Sequence, residues 1–172
     1  MDVTAALVAK VTPDAMYRVV SDLGRYPQWL DIVAKAVPDE AVATDPGPAW
    51  IVDLRGQLGP LRRSKRLRMT RAVADEPHVV RFERAEIDGR SHSDWVLQAV
   101  VISDGFHLGR PGSGAPGPGS SDSGDPGSRE AVTLEMSLHY GGSMWIPLLD
   151  RLLSDEIGRS RDRLLELLAQ QS

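Results

Sequence analysis

The 172-residue chain has no cysteine. This rules out disulfides, thiolate metal ligands and a cysteine nucleophile, and it suits a reducing compartment. Aromatic residues are scarce, with two phenylalanines, three tyrosines and four tryptophans. No stretch approaches the ~18 consecutive apolar residues of a membrane span. The opening MDVTAALVAKVTPD lacks the apolar centre of a signal peptide, so a soluble cytoplasmic protein is the expectation. A net charge of −4 makes no global case for nucleic-acid binding. The four histidines show no metal-ligand spacing, and there is no G-x-S-x-G elbow, phosphate loop or dinucleotide fingerprint. No metal or cofactor is expected.

What is present is ordinary globular material, 41% hydrophobic and 26% charged, of a length that suits one domain with one core. Val3 to Val11 reads as a strand. Thr12-Pro13-Asp14 then starts a helix, with Thr12 as N-cap, Pro13 in the first turn and Asp14 against the positive dipole end. Ala15, Met16, Val19, Val20 and Leu23 form its apolar face and Gly24 is a natural stop. A second short helix is expected from Tyr26 to Ile32.

Strands follow. Val33 to Val42 is interrupted at Pro38, which marks an edge strand or a bulge. Ala49 to Arg55 alternates, with Trp50, Val52 and Leu54 on one side. Leu61 to Ala74 sets Leu67 and Met69 against Arg66 and Arg68. His78 to Ile87 is built around Val80 and Phe82, and Asp88-Gly89 suits a tight hairpin. Arg90 to Ile102 returns with Trp95, Leu97, Ala99 and Val101 on one face. Arg129 to Tyr140 alternates through Leu134, Met136, Leu138 and Tyr140. Consecutive strands with short turns imply an antiparallel meander and an α+β class.

Residues 103–128 hold eight of the sixteen glycines and four of the twelve prolines. Such a segment buries too little apolar surface to offset its ordering entropy, so it reads as a flexible hairpin insert. The chain closes on a long amphipathic helix, about residues 143–170. Trp145, Leu149, Leu152, Leu153, Ile157, Leu164, Leu167 and Leu168 share one broad face. Glu156 and Ser160 interrupt that face and Arg163 lies at its margin. An unpaired glutamate in a dry core would be costly, so Glu156 pairs with a base, reaches outward, or meets water and ligand in a cavity.

This order, the stretch SDLGRYPQWLDIV (Ser21 to Val33), the hairpin containing SDWVLQAV and the closing helix resemble the START-like and Bet v 1-like helix-grip superfamily. Within it, they are most similar to the bacterial polyketide cyclase/dehydrase and lipid-transport branch. The resemblance implies a single START-like domain, 1–172, in which a curved antiparallel sheet of about seven strands wraps the C-terminal helix. It also implies a cavity between them, with the two short helices near one end. It transfers no catalytic residue, because the superfamily includes carriers, cyclases, hydrolases, quinone-binding proteins and ligand sensors.

Trp50, Leu67, Met69, Phe82, Trp95, Leu97, Met136, Leu138 and Tyr140 on the sheet, with Leu149, Leu153, Glu156, Ile157 and Ser160 on the helix, are the candidate ligand-binding residues. Each apolar one reads equally as plain core. Trp29 reads as a packing anchor. Glu156, or a tyrosine, is the candidate for acid–base work. The basic strand, Arg62 to Arg71, suits cross-strand ion pairs on the convex face, with Arg63 and Lys65 on the concave side able to hold an anionic head group.

Three functions fit. The first is a carrier or sensor for an apolar small molecule such as a lipid, polyketide or quinone-like compound. The second is a cyclase/dehydratase-type enzyme using the same cavity. The third is an interaction protein whose basic strand 62–71 meets an acidic partner or a membrane surface. In each case the protein is expected to be a monomer or homodimer.

Overall fold

The computed structural model describes residues 2–58, 61–103, 131–142 and 159–170, with backbone alone at 56–58 and 61–63. Seven strands form one antiparallel sheet: β1 (Asp2–Lys10), β2 (Val33–Asp39), β3 (Ala49–Leu58), β4 (Leu61–Asp75), β5 (Val79–Arg84), β6 (Trp95–Ile102) and β7 (Ala131–Tyr140). Their order across the sheet is β1-β7-β6-β5-β4-β3-β2. Strands β2 to β7 are thus a meander, and β1 lies beside the last of them. The α+β expectation holds.

The chain crosses from the β1 edge to the β2 edge through α1 (Pro13–Val20) and a 3-10 helix (Leu23–Gln28). Thr12 caps α1 as its sequence predicts, its Oγ1 accepting from the Ala15 N–H at 3.2 Å. The next helical turn comes earlier than the sequence pattern predicts. The Asp22 carboxylate accepts from the Gly24 N–H at 2.8 Å and starts a new turn there, so Gly24 opens the 3-10 helix and does not end α1. Pro27 falls within that turn and Trp29 ends it.

Pro38 sits on β2, an edge strand with a register shift between Val33 and Lys35, so both readings of the proline-bearing strand hold. Strand β4 is the longest. It pairs with β3 from Leu61 to Thr70 and with β5 through a shift between Arg71 and Val73, which bends it.

The tight hairpin expected at Asp88-Gly89 does not form. Strand β5 ends at Arg84 and β6 begins only at Trp95. The intervening polar residues bond locally instead: Asp88 accepts from the Arg90 N–H at 3.1 Å and from His92 at 2.9 Å. A short carboxylate that offers the backbone this alternative competes with the ladder. Gly89, at φ 70°, still supplies the left-handed residue of the turn. Strands β6 and β7 pair from Trp95↔Tyr140 to Ile102↔Thr133, so the glycine-rich segment joins two paired strands. The segment itself lies outside the described residues.

Residues 159–169 are helical and are designated α2. Ser160, Leu164 and Leu168, spaced by four, are buried. Arg163 clamps Asp31 with two hydrogen bonds, one of them 2.6 Å, tying α2 to the segment after the 3-10 helix. These bonds hold the Asp31 carboxyl below the usual carboxylate range. Leu149, Leu153, Glu156 and Ile157 lie outside the described residues.

Candidate functional site

Alternation on the sheet sets one face of apolar side chains against the short helices. Val52 lies opposite Leu67, and Leu97 opposite Leu138, which in turn faces Val3. With Leu54, Met69, Trp95 and Met136 they form one wall of a cavity of about 80 Å³. Leu23, Tyr26, Leu30, Ile32 and Val33 form the other wall, supplied by the 3-10 helix and the turn into β2. The cavity therefore sits where the 3-10 helix and the turn into β2 close over the sheet.

The lining is nearly free of polar groups. Ser137 is the single hydroxyl-bearing residue besides Tyr26 among those described. The Tyr26 hydroxyl donates to the Val20 carbonyl at 2.9 Å. Complete burial raises its pKa far above the ordinary phenol range, so Tyr26 offers a ring to the cavity and no mobile proton. No carboxylate or histidine lines the cavity among the described residues. His92 pairs with Asp88 and His139 with Asp2, both at the surface, and no metal-ligand cluster occurs among the described residues.

Of the candidate site residues, Leu67, Met69, Trp95, Leu97, Met136 and Leu138 line this cavity. Trp50 and Phe82 are buried beside it, edge to face at 5.7 Å, and Phe82 meets Tyr26 at 6.3 Å. Trp29 packs on Tyr26 at 4.8 Å as an anchor. Tyr140 packs on Trp95 at 4.9 Å. Ser160 is buried on α2 and is not among the residues lining this cavity. The residues that sequence reasoning missed come mostly from the connection: Leu23, Tyr26, Leu30 and Ile32. Their signal was the YPQWL stretch, which marks a family likeness without saying which side chains turn inward.

Lys65 is not among the lining residues but neighbours several of them. It stands opposite Leu54 and two residues from Leu67, on the cavity face of β4. Its Nζ lies 5.0 Å from the Trp95 ring centre and 5.2 Å from that of Tyr140. Burial, helped by the nearby Arg84 cation and opposed by Glu86, holds its pKa below the usual lysine value.

The opposite face of β4 is built differently. Arg68 donates to both Asp45 oxygens at 3.0 and 2.6 Å, to Asp39 at 2.7 Å, and to the carbonyls of Ala85 and Glu40 at 3.0 and 3.1 Å. These acceptors match the five donors of a guanidinium. Arg66 forks onto Asp53 at 2.6 and 3.0 Å. Arg71, on the cavity side, reaches the Ser21 carbonyl at 3.3 Å. Arg62 and Arg63 are described by backbone alone. The basic strand thus spends three of its arginines within the fold.

No protein-family model matches the chain, and no curated protein matches it in sequence. Solved structures do. A START superfamily protein from Mycobacterium smegmatis superposes with a TM-score of 0.62 at 13% identity, over 99% of each chain. The di-domain ARO/CYC protein StfQ of the steffimycin biosynthetic pathway matches with a TM-score of 0.58 at 15% identity, over 99% of this chain and 50% of that one. A point mutant of norcoclaurine synthase from Thalictrum flavum, in complex with a transition-state analogue, matches with a TM-score of 0.56 at 11% identity, over 99% of this chain and 95% of that one. At these identities the likeness concerns the fold: the chain has the START/Bet v 1-like helix-grip fold.

Proposed function

We propose that this chain binds an apolar small molecule, of the lipid, polyketide or quinone-like kind, in the cavity between its sheet and its helices, as a cytoplasmic carrier or sensor. One observation carries the reading: the cavity wall offers apolar surface on every side while its buried phenol is already spent on the Val20 carbonyl. A wall of that kind gains by excluding water from a ligand's apolar surface. Nothing that can move a proton lines it among the described residues.

The second reading is a cyclase/dehydratase-type enzyme, favoured by the likeness to StfQ. It requires a proton carrier in the cavity, and its candidate, Glu156, lies outside the described residues. The interaction reading is weakened by the internal partners of Arg66, Arg68 and Arg71.

Native mass spectrometry of protein purified from its source tests the proposal. A retained apolar ligand of defined mass is the expected result, and conversion of that ligand on incubation would select the enzyme. Protein that comes through empty and takes up no added apolar compound would overturn both.

A further inference from the structure

Among the described side chains of β4, Lys65 is the cation without a hydrogen-bond or ion-pair partner. Its neighbours Arg66 and Arg68 are paired with carboxylates, Arg71 donates to a carbonyl, and Arg84 across the ladder bonds Glu86 at 2.7 Å. No carboxylate lies within ion-pair distance of Lys65 among the described residues. Glu86, the acidic group that acts on it from nearby, is already spent on Arg84 and on the Arg68 N–H. The lysine is half-buried, and its ammonium rests on the rings of Trp95 and Tyr140. Aromatic faces attract a cation but do not neutralise it. Beneath it, the buried indole N–H of Trp95 has no acceptor among the described residues. A buried donor without a partner is uncommon in folded proteins and marks a place where an acceptor is wanted.

We infer that Lys65 is the polar anchor of the cavity and that the ligand is an apolar molecule ending in one anionic oxygen group, a carboxylate in the simplest case. This deepens the proposal of apolar ligand binding and rests on it. The register supplies the geometry. Leu54 opposite Lys65, Leu67 beside it and Trp95 beneath it all line the cavity, so a chain or ring lying among them has its end at the ammonium. A charge-assisted hydrogen bond formed in such a partly dry place is stronger than one in water.

The test uses the full chain, the neutral fluorophore N-phenyl-1-naphthylamine as reporter, and octanoate and 1-octanol as a matched pair of competitors. Wild-type protein should prefer octanoate over 1-octanol by about tenfold, the worth of one charged hydrogen bond. Lys65→Met should erase that preference while holding 1-octanol affinity within about twofold. Lys65→Arg, which keeps the charge, should retain part of it. Equal binding of octanoate and 1-octanol by wild type overturns the inference and leaves apolar binding standing, and so does a preference that survives Lys65→Met. Failure of wild type to bind the fluorophore and both competitors overturns the inference together with the proposal beneath it. The wild-type comparison decides even where a variant does not fold.

Discussion

The two faces of β4 carry alternate residues of one strand and follow opposite rules. On the convex face, Arg68 is 2% exposed and its partner Asp45 4%, and every donor of the guanidinium meets an acceptor supplied by the chain. On the concave face, Leu67 and Met69 line a cavity, and Lys65 has, among the described residues, only the rings of Trp95 and Tyr140 beneath it. A face complete in itself serves the fold. A face with open volume and an unmatched charge has capacity for something that is not protein. The contrast also shows why six positive charges between Arg62 and Arg71 say little about a partner: what counts is which of them already have one.

The contrast can be broken from either side. The largest effect is expected at Arg68, because its removal strands the buried Asp45 charge. Arg68→Met should cost about 3–5 kcal/mol in urea unfolding while fluorophore affinity stays unchanged in the folded protein. A loss under about 1 kcal/mol, the worth of a surface pair, would show that the convex cluster is not structural. Gly47 comes next. A Cβ there would stand 2.6 Å from the Arg71 carbonyl oxygen, so Gly47→Ala should destabilise by about 1–3 kcal/mol.

Acid sharpens the comparison further. The bonds from Arg68 hold the Asp45 carboxyl below its unfolded value, so their contribution is complete above about pH 4 and is lost as pH falls through the depressed folded value. Stability should therefore drop below about pH 4, and Asp45→Asn should flatten that part of the profile. The smallest effect is expected at Arg163, whose pair with Asp31 is half in water. Arg163→Ala should cost no more than about 1 kcal/mol.

Much of the fold was legible because it rests on local rules. The Thr12 cap, the edge-marking Pro38 and the two-residue alternation of β3, β6 and β7 each follow from one residue's chemistry or one period. The misplaced elements are those where a side chain outbids a pattern. Asp22 recruited Gly24 into a new turn, and Asp88 drew the backbone away from a hairpin that Asp88-Gly89 otherwise suits. The cavity was half legible for a related reason. Alternation tells which strand residues share a face, so Leu67, Met69, Leu97 and Leu138 were in view. It does not tell how deep a ring sits, and Trp50 and Phe82 proved to be packed beside the cavity. Nor can it say which residues of an irregular connection turn inward, and Tyr26 and Leu30 went unnoticed.

The central claim is that the concave face holds an apolar ligand. Its most direct test is a titration of N-phenyl-1-naphthylamine into wild-type protein and into Leu97→Trp, which fills the cavity from its sheet wall. Saturable fluorescence enhancement by wild type, weakened about tenfold or more in a variant that still unfolds cooperatively, is the predicted result. Equal affinity in the two proteins, or no saturable binding to wild type, would contradict it.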